Sequence, residues 1–321
     1  MVGFQDLLPD FICDVVASLN LRPTGQLFQL NSYENRVYQV GLEGESPLVI
    51  KFYRPQRWKK EQLIEEHFML SELHKAEIPV VKPIDLQKNS ECATLGYAAP
   101  YYYCLYPKFG GHEEADLSAE RLEWLGRTLA RVHNVTCQLP IKHRLTLNTD
   151  TYGYDQLDLL YDNPWLPDDL WESLESIILQ CLDHVEHQLQ FQGTTFALHG
   201  DCHLGNVLWN QHGPTLVDFD DAVIAPAVQD VWMLFWGTPE EQAQQHKVFF
   251  KGYELFREFD ENTLRLTEVL RTLRMIRHTA WIGQRFEEAI FQRAFSYYSE
   301  RNYWERFLLN LKEQCSLLQS L

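Results

Sequence analysis

The feature that most constrains this chain is a polar loop that runs directly into two short, largely apolar segments. Residues 199–206 read HGDCHLGN, and the segments at 207–209 and 215–217 are separated by a turn that contains glycine. Two such segments joined by a short glycine-containing turn are typical of a β-hairpin. Asn206 opens the first strand and Asp218 follows the second, so antiparallel pairing should bring these side chains to the same end of the hairpin.

The polar residues at this end have the types and the order needed for metal-assisted phosphoryl transfer. The apolar run Phe196–Leu198 predicts a buried strand that leads into the loop carrying Asp201. A carboxylate at Asp201 can orient an attacking hydroxyl group and accept its proton. An amide oxygen from Asn206 and a carboxylate from Asp218 can hold Mg²⁺ on nucleotide phosphates. The sequence therefore predicts a phosphoryl-transfer site with Asp201 and Asp218 as catalytic carboxylates, rather than a surface loop that happens to carry acidic residues.

Length and composition indicate a folded enzyme and limit its partners. The 321 residues are 45% hydrophobic, which is enough for a substantial core and for two lobes. Neither a transmembrane run nor a secretory signal is expected from the hydropathy pattern. Seven cysteines without a C-x-x-C pair favour a reducing cytoplasm. The formal charge of −17 disfavours nucleic acid and anionic membranes as partners.

The first hundred residues predict a small sheet with one helix. Val37–Val40 and Leu48–Tyr53 are strand-like runs around a turn, and Tyr97–Tyr106 indicates a second strand pair. From Trp58 to about Ala76 the apolar spacing predicts a helix. Lys108–Gly111 follows as a candidate hinge.

Most of the remaining chain is predicted to be helical. Ser118 is a candidate N-cap for the first of these helices. Asp230 is predicted to cap another helix and to brace the loop that carries Asp201. The other predicted helical stretches lie near residues 166–190, 228–236, 239–258, 263–290 and 297–319.

These patterns together predict an α+β fold with two lobes. Residues 1–107 form the predicted N-lobe, a small antiparallel sheet that binds nucleotide. Residues 108–321 form the predicted C-lobe, which is larger and mainly helical and carries the catalytic loop and the substrate-binding helices.

Lys51 is the candidate contact to the nucleotide phosphates. It ends the β-branched run Val49-Ile50-Lys51, and a lysine there can reach phosphates if an acid on the next helix orients it. Glu66 interrupts an apolar face of that helix and therefore needs a buried partner, for which Lys51 is the natural choice. Glu65 remains the alternative partner.

The candidate phosphate loop has no glycine pattern. Residues 31–36 read NSYENR where a G-x-G-x-x-G would be expected, and the Walker A pattern of P-loop kinases is absent from the chain. Asn and Ser favour turns and can offer hydrogen-bond donors to phosphate. Ser32 is the predicted ATP contact in this loop.

The residues described so far resemble the aminoglycoside phosphotransferase and choline kinase family, which has a protein-kinase-like fold. The pattern H-G-D-x-x-x-x-N followed by D-F-D is similar to H-R-D-x-x-x-x-N and D-F-G of protein kinases. The resemblance also covers residues 49–51, Glu66 and residues 125–133. It implies that Asp201 is the proton acceptor, that Asn206 and Asp218 bind Mg²⁺, and that Ser32 lies at the ATP site.

A narrower resemblance, to bacterial serine/threonine protein kinases within this family, is carried by residues 31–39, 51–55 and 226–230. It implies an ATP- and Mg²⁺-dependent cytoplasmic monomer that phosphorylates protein Ser or Thr, including its own. The alternative acceptor is a small alcohol such as choline, homoserine or an aminoglycoside, since an acidic chain attracts cations. Acids that could bind such a cation are Glu287, Glu288, Asp220 and Asp221.

Two departures from the protein-kinase pattern concern regulation. Gly200 replaces the Arg of H-R-D, and Asp220 replaces the Gly of D-F-G. In protein kinases that Arg is the usual partner of an activation-loop phosphate. Both replacements suggest an enzyme that is built in its active arrangement.

Two rival functions are less consistent with the sequence. His199, Cys202 and His203 could be zinc ligands, but the Asn206–Asp218 pair favours a hard, oxygen-binding ion. A pseudokinase would be expected to lack at least one of the catalytic residues, and all of them are present.

Overall fold

The computed structural model describes residues 3–86 and 92–321, and these form nine α-helices and nine strands. The helices are α1 (Pro9–Ala17), α2 (Lys60–Lys75), α3 (Ala119–Thr136), α4 (Asp155–Tyr161), α5 (Asp168–Leu189), α6 (Pro239–Tyr253), α7 (Thr267–Arg285), α8 (Ala289–Ala294) and α9 (Arg301–Gln319). The strands are β1 (Pro23–Gln29), β2 (Arg36–Leu42), β3 (Glu45–Phe52), β4 (Gly96–Ala98), β5 (Tyr101–Pro107), β6 (Thr195–Leu198), β7 (Val207–Asn210), β8 (Gly213–Leu216) and β9 (Val223–Pro226). The α+β prediction is confirmed.

Five strands form an antiparallel sheet in the order β1-β2-β3-β5-β4. The strand pair predicted from the runs Val37–Val40 and Leu48–Tyr53 is confirmed as β2 and β3, in which Val37 is opposite Lys51. Strand β1 was not predicted, because its sequence contains Pro23 and Gly25, which are poor strand formers. Its presence places residues 30–35 in a loop between two paired strands.

The two faces of the sheet bury different kinds of side chain. Successive residues of a strand point to opposite faces, so Ile50 and Phe52 lie in an apolar core with residues of α1. Lys51 lies on the other face, where Tyr53 packs with Leu63 of α2. The helix predicted from residue 58 to 76 thus covers the face that carries the lysine.

By their internal contacts, the residues divide into two compact units. The first unit comprises Met1–Arg144, Asp201–Ala222 and Phe235–Glu258. The second comprises Leu145–Gly200, Val223–Leu234 and Phe259–Leu321. The predicted site residues lie in the first unit: Ser32, Lys51, Glu66, Asp201, Asn206 and Asp218. The lobe boundary after residue 107 stays a prediction.

The second unit is built around long helices. Helix α5 packs along α9, α7 contacts both, and strand β6 pairs antiparallel with β9. The helical stretch predicted at residues 228–236 is not one continuous helix: the chain forms two short 3₁₀ helices, Ala227–Asp230 and Trp232–Leu234. Side chains of the first turn are instead hydrogen-bonded to the backbone of residues 199 and 200, and these tertiary bonds favour tight turns over a regular helix.

Among the described residues, no helix has the length and apolar character required to cross a membrane.

Helices α3 and α6 of the first unit approach each other closely at two glycines. A methyl group on Gly126 would overlap the backbone carbonyl of Phe249, and one on Gly252 would overlap the carbonyl of Glu123. Each glycine therefore allows the backbone of the other helix to lie against it. This contact holds α6 to α3. As predicted, Ser118 is the N-cap of α3, because its side chain accepts a hydrogen bond from the backbone amide of Arg121.

Gly126→Ala should lower the free energy of unfolding by about 2 kcal/mol, because the added methyl group meets backbone that cannot rotate away. The better helix propensity of alanine offsets only part of this loss. Urea unfolding of the variant measures the difference. Gly110→Ala is the matched control, since a methyl group there meets no atom within 4 Å. Equal stability of the two variants would contradict this description of the helix contact.

Candidate active site

Lys51 is buried among three carboxylates. Its Nζ atom lies 3.0 Å from Asp218 Oδ1, 3.2 Å from Asp220 Oδ1 and 3.7 Å from Glu66 Oε1. Burial acts to lower the pKa of Lys51, but the carboxylates, Asp218 first, outweigh it and hold the pKa well above its ordinary value. The lysine therefore stays charged on the sheet face covered by α2.

Glu66 occupies a position behind Lys51 where its negative charge is costly. The hydroxyl of Tyr53 donates to Glu66 Oε1 at 3.1 Å, and within the described residues Oε2 has no hydrogen-bond partner. Burial raises the pKa of Glu66 to about 7, with Lys51 opposing the shift. Burial also lowers the pKa of the adjacent His67 to about 3, so that ring is neutral at physiological pH.

Glu65, the alternative partner for Lys51, has a different structural position. Its carboxylate accepts hydrogen bonds from the backbone amides of Lys142, His143 and Arg144, at 2.7 to 2.9 Å. These bonds fix the segment after α3 to helix α2. The structure therefore brings Glu66, and not Glu65, to the lysine.

The predicted hairpin is confirmed and brings Asn206 and Asp218 to the same end. Val207 is opposite Leu216, and the amide of Val217 donates to the carbonyl of Asn206 at 3.1 Å. Asp218, the next residue, has a left-handed backbone with φ of 63°, which turns the chain out of the strand. Its side chain is 52% exposed while still contacting Lys51.

The loop before the hairpin is internally bonded. The side-chain amide nitrogen of Asn206 donates to the carbonyl of Asp201 at 3.0 Å. His203 accepts from the amide of Gly205 through Nδ1 at 3.1 Å, and its Nε2 lies 3.5 Å from Oδ2 of Asp201. The sequence suggests His203 only as a rival zinc ligand, and no sequence pattern predicts its approach to the Asp201 carboxylate.

The residues at the hairpin end fit a magnesium ion. Because the Asn206 nitrogen is used by the Asp201 carbonyl, its oxygen is the atom left for a cation. That oxygen and the half-exposed Asp218 carboxylate are the hard ligands that Mg²⁺ prefers, with water and phosphate oxygens completing its shell. The described residues contain no group of three or more His, Cys, Asp or Glu side chains placed to hold a metal, so the rival zinc set of His199, Cys202 and His203 is not assembled.

In the second unit, Asp230 fixes the backbone of the two residues that precede Asp201. Its carboxylate accepts from the amides of His199 and Gly200, each at 2.8 Å, and Gln229 donates to the carbonyl of Gly200 at 2.8 Å. Asp230 therefore braces the loop, as predicted, without capping an α-helix. Gly200 has φ of 87°, a conformation that arginine would adopt only with strain, so the departure from H-R-D has a backbone cause.

Asp220 is the residue that sequence reasoning missed. The sequence suggests this residue only as an acid for a cationic acceptor, but its side chain is 3% exposed and contacts Lys51, Arg57 and Asn35. Asp221, the second such candidate, is bound by Arg57 at 2.7 Å. The sequence signal is weak, because two adjacent acidic residues follow Phe219 and only the folded structure shows which of them is buried.

Ser32 lies in the loop between β1 and β2 and is partly buried. Among the described residues, no hydrogen bond or ion pair joins Ser32 to the other five predicted site residues. The connection of this loop to the site runs through Asn35, whose side-chain amide donates to Asp220 Oδ2 at 3.0 Å. The role of Ser32 at the ATP site stays a prediction.

The first unit thus contains a buried lysine that can bind phosphate, oxygen atoms that can hold a divalent ion and a carboxylate that can accept a proton. Lys51 and Asp218 are in direct contact. Asn206 lies at the same end of the hairpin as Asp218, and its side chain is hydrogen-bonded to the carbonyl of Asp201. This set of groups is suited to positioning a nucleotide and a hydroxyl acceptor for phosphoryl transfer.

Glu66→Gln should change how stability depends on pH. The carboxyl pKa is 4.5 in a model compound and about 7 in the folded chain, so its contribution is present at low pH and is lost as the pH rises through 7. Glutamine does not ionise. Relative to wild type, the variant should therefore gain on the order of 2 kcal/mol of unfolding free energy between about pH 5 and about pH 8.

Urea unfolding without nucleotide at these two pH values measures the effect. Glu61→Gln, on the exposed side of the same helix, is the matched control and should differ from wild type equally at both. A pH-independent difference for Glu66→Gln would show that burial does not shift this carboxyl group.

Comparison with known proteins places these features in a family. A family model described as "Phosphotransferase enzyme family", APH, matches residues 28–266. Stress response kinase A of Escherichia coli (strain K12) is 36% identical over 317 residues, which covers 98% of this chain and 95% of that protein. Serine/threonine protein kinase RdoA of Salmonella typhimurium (strain LT2) is 35% identical over 316 residues, 98% of this chain and 94% of that protein.

A solved structure supports the same fold. The amicoumacin kinase hAmiN, in complex with AMP-PNP, Ca²⁺ and Ami, superimposes with a TM-score of 0.72 at 20% identity, over 94% of this chain and 92% of that one. The protein-kinase-like fold is therefore confirmed. Because the family model spans well over half of the residues and the relatives match nearly the full length, the chain belongs to the APH phosphotransferase family.

Proposed function

We propose that this phosphotransferase is an ATP- and Mg²⁺-dependent serine/threonine protein kinase. The observation that carries the proposal is the contact of Lys51 with Asp218 in the unit that also holds Asp201 and Asn206. The choice of a protein acceptor is supported by the names of relatives that match nearly the whole chain. A cytoplasmic location, where ATP is available, is part of the same proposal.

The proposed reaction assigns one task to each side chain. The acceptor hydroxyl loses its proton to the carboxylate of Asp201 as its oxygen bonds to the γ-phosphorus and ADP leaves. Lys51, held charged by its carboxylate neighbours, binds the phosphates, and Ser32 contacts ATP from the β1–β2 loop. Glu66 lies behind Lys51 and keeps it extended toward the nucleotide.

Asn206 and Asp218 would hold Mg²⁺, which when bound neutralises developing charge on the phosphate oxygens. Asp218 is already turned out of β8 by its left-handed backbone and is half exposed. The hydrogen bond from Asn206 to the Asp201 carbonyl holds the proposed metal ligand next to the proposed proton acceptor.

Asp201→Asn should lower turnover by about 10²–10⁴-fold, because the amide cannot accept the hydroxyl proton. Affinity for Mg·ATP should stay close to wild type, since this side chain acts on the acceptor. Initial rates and calorimetric titration with a non-hydrolysable ATP analogue measure the two quantities. Asp158→Asn, on an exposed face of α4, is the control and should match wild type in both. Near-normal transfer by the Asp201 variant would overturn the proposed role.

Asp218→Asn should differ from the Asp201 variant in one respect. It removes a proposed metal ligand, so both turnover and the Mg²⁺-dependent part of nucleotide affinity should fall by at least about tenfold. Titrating the ATP analogue at several Mg²⁺ concentrations measures this. Loss of turnover with unchanged Mg²⁺ dependence would show that the ion is not held by Asp218.

The second candidate function is transfer to a small alcohol, because the fold neighbour hAmiN is an amicoumacin kinase whose structure contains Ami as well as AMP-PNP. Radiolabelled ATP should be supplied with three acceptors: the chain alone, a generic Ser/Thr substrate protein, and a panel of choline, homoserine and aminoglycosides. We expect phosphoserine or phosphothreonine that is absent with Asp201→Ala. Turnover confined to a small alcohol would refute the protein acceptor, and ATP binding without any transfer would indicate a pseudokinase.

A further inference from the structure

The turn that follows Asp218 is held by a buried carboxylate between two cations. Asp220 Oδ1 lies 3.2 Å from Lys51 Nζ, and Asp220 Oδ2 accepts a short hydrogen bond from Arg57 Nη1. The same Oδ2 accepts from the side chain of Asn35 at 3.0 Å. Removing this negative charge would leave Lys51 and Arg57 buried with one anion fewer between them.

Arg57 fixes Asp220 from the segment between β3 and α2. Its Nη2 donates to Asp221 at 2.7 Å, so the guanidinium holds both acids of the turn. It also lies 4.8 Å above the ring of Trp58 and 3.6 Å from Glu34 Oε1. The planar guanidinium thus binds two carboxylates through separate nitrogens while it also contacts an aromatic ring, and the single ammonium group of lysine could not make all these contacts.

Asn35 connects the same carboxylate to the candidate phosphate loop. Its side-chain oxygen accepts from the backbone amide of Arg54 at 3.1 Å, while its nitrogen binds Asp220. The preceding residue, Glu34, pairs with Arg54 at 2.8 Å. The loop that contains Ser32 is therefore anchored by side chains at its end, in a position where other kinases use glycines.

The backbone of the turn has a separate support. Arg144 donates through Nε to the carbonyl of Ala222 at 2.7 Å, and through Nη2 to the carbonyl of Asp220. These bonds do not involve the Asp220 carboxylate. Replacing that carboxylate by an amide of the same shape therefore leaves the backbone anchors of the turn in place.

We propose that Asp220, Asn35 and Arg57 form a clamp that positions Lys51 for the nucleotide and couples the metal-binding turn to the phosphate loop. The proposal rests on the proposed function. Asp218 is needed by the metal ion, so Asp220 is the close carboxylate that remains on Lys51 when nucleotide binds. Glu66 is farther away, and its raised pKa makes it a weaker counter-charge near neutral pH.

The test compares Asp220→Asn with Asp221→Asn. Both variants replace an acid bound to Arg57, but only Asp220 also contacts Lys51 and Asn35. Titration with Mg²⁺ and a non-hydrolysable ATP analogue should show at least about tenfold weaker binding for Asp220→Asn and less than about threefold for Asp221→Asn. In turnover, the KM for ATP should rise with Asp220→Asn, and the double variant with Lys51→Met should be no worse than Lys51→Met alone.

Arg57→Lys tests the clamp from its other side and keeps the Asp220 charge. It should also weaken binding of the analogue by about tenfold, because an ammonium group does not reproduce the guanidinium's hydrogen bond to Asp220 together with its contacts to Trp58 and Glu34. Should Asp220→Asn not fold, this variant decides the matter. Binding within about threefold of wild type for Arg57→Lys, or for a folded Asp220→Asn, would overturn the clamp. Since these titrations need no acceptor, a failure of phosphoryl transfer in the wild type would refute the proposed function and leave this test readable.

Discussion

A buried lysine keeps its charge only where carboxylates surround it, and Lys51 has three of them within 3.7 Å. They come from helix α2, from the end of strand β8 and from the turn that follows it. The ion pairs therefore bring three segments that are distant in sequence to one point on the sheet. The placement of the proposed metal ligand Asp218 depends on this contact as much as on its own hairpin.

The three carboxylates differ in their surroundings, and the differences suggest separate tasks. Asp218 is half exposed and can turn to a metal ion, while Asp220 is buried and bound by Arg57 and Asn35. Glu66 lies deepest, and burial raises its pKa to about 7. Asp218 is thus accessible to a metal ion, Asp220 is fixed, and Glu66 is only partly ionised near pH 7. The fixed acid also accepts a hydrogen bond from Asn35, at the end of the loop that contains Ser32.

The sequence was sufficient for features that depend on local pattern. The hairpin placed Asn206 and Asp218 together because strand pairing follows from apolar runs around a turn, and the acid in an apolar helix face identified Glu66. Strand β1 was missed because its local propensity is low and its pairing with β2 is tertiary. The contacts of Asp220 with Lys51 and Asn35, and those of Glu65 with backbone amides, could not be predicted because the sequence does not show which residues surround a charged side chain in the fold.

The most direct test of this account is a crystal structure of the chain with Mg²⁺ and a non-hydrolysable ATP analogue. We predict the ion on the Asp218 carboxylate and the Asn206 side-chain oxygen, and Lys51 on the phosphates while it remains in contact with Asp220. An ion bound away from Asp218, or a nucleotide whose phosphates do not approach Lys51, would contradict the account.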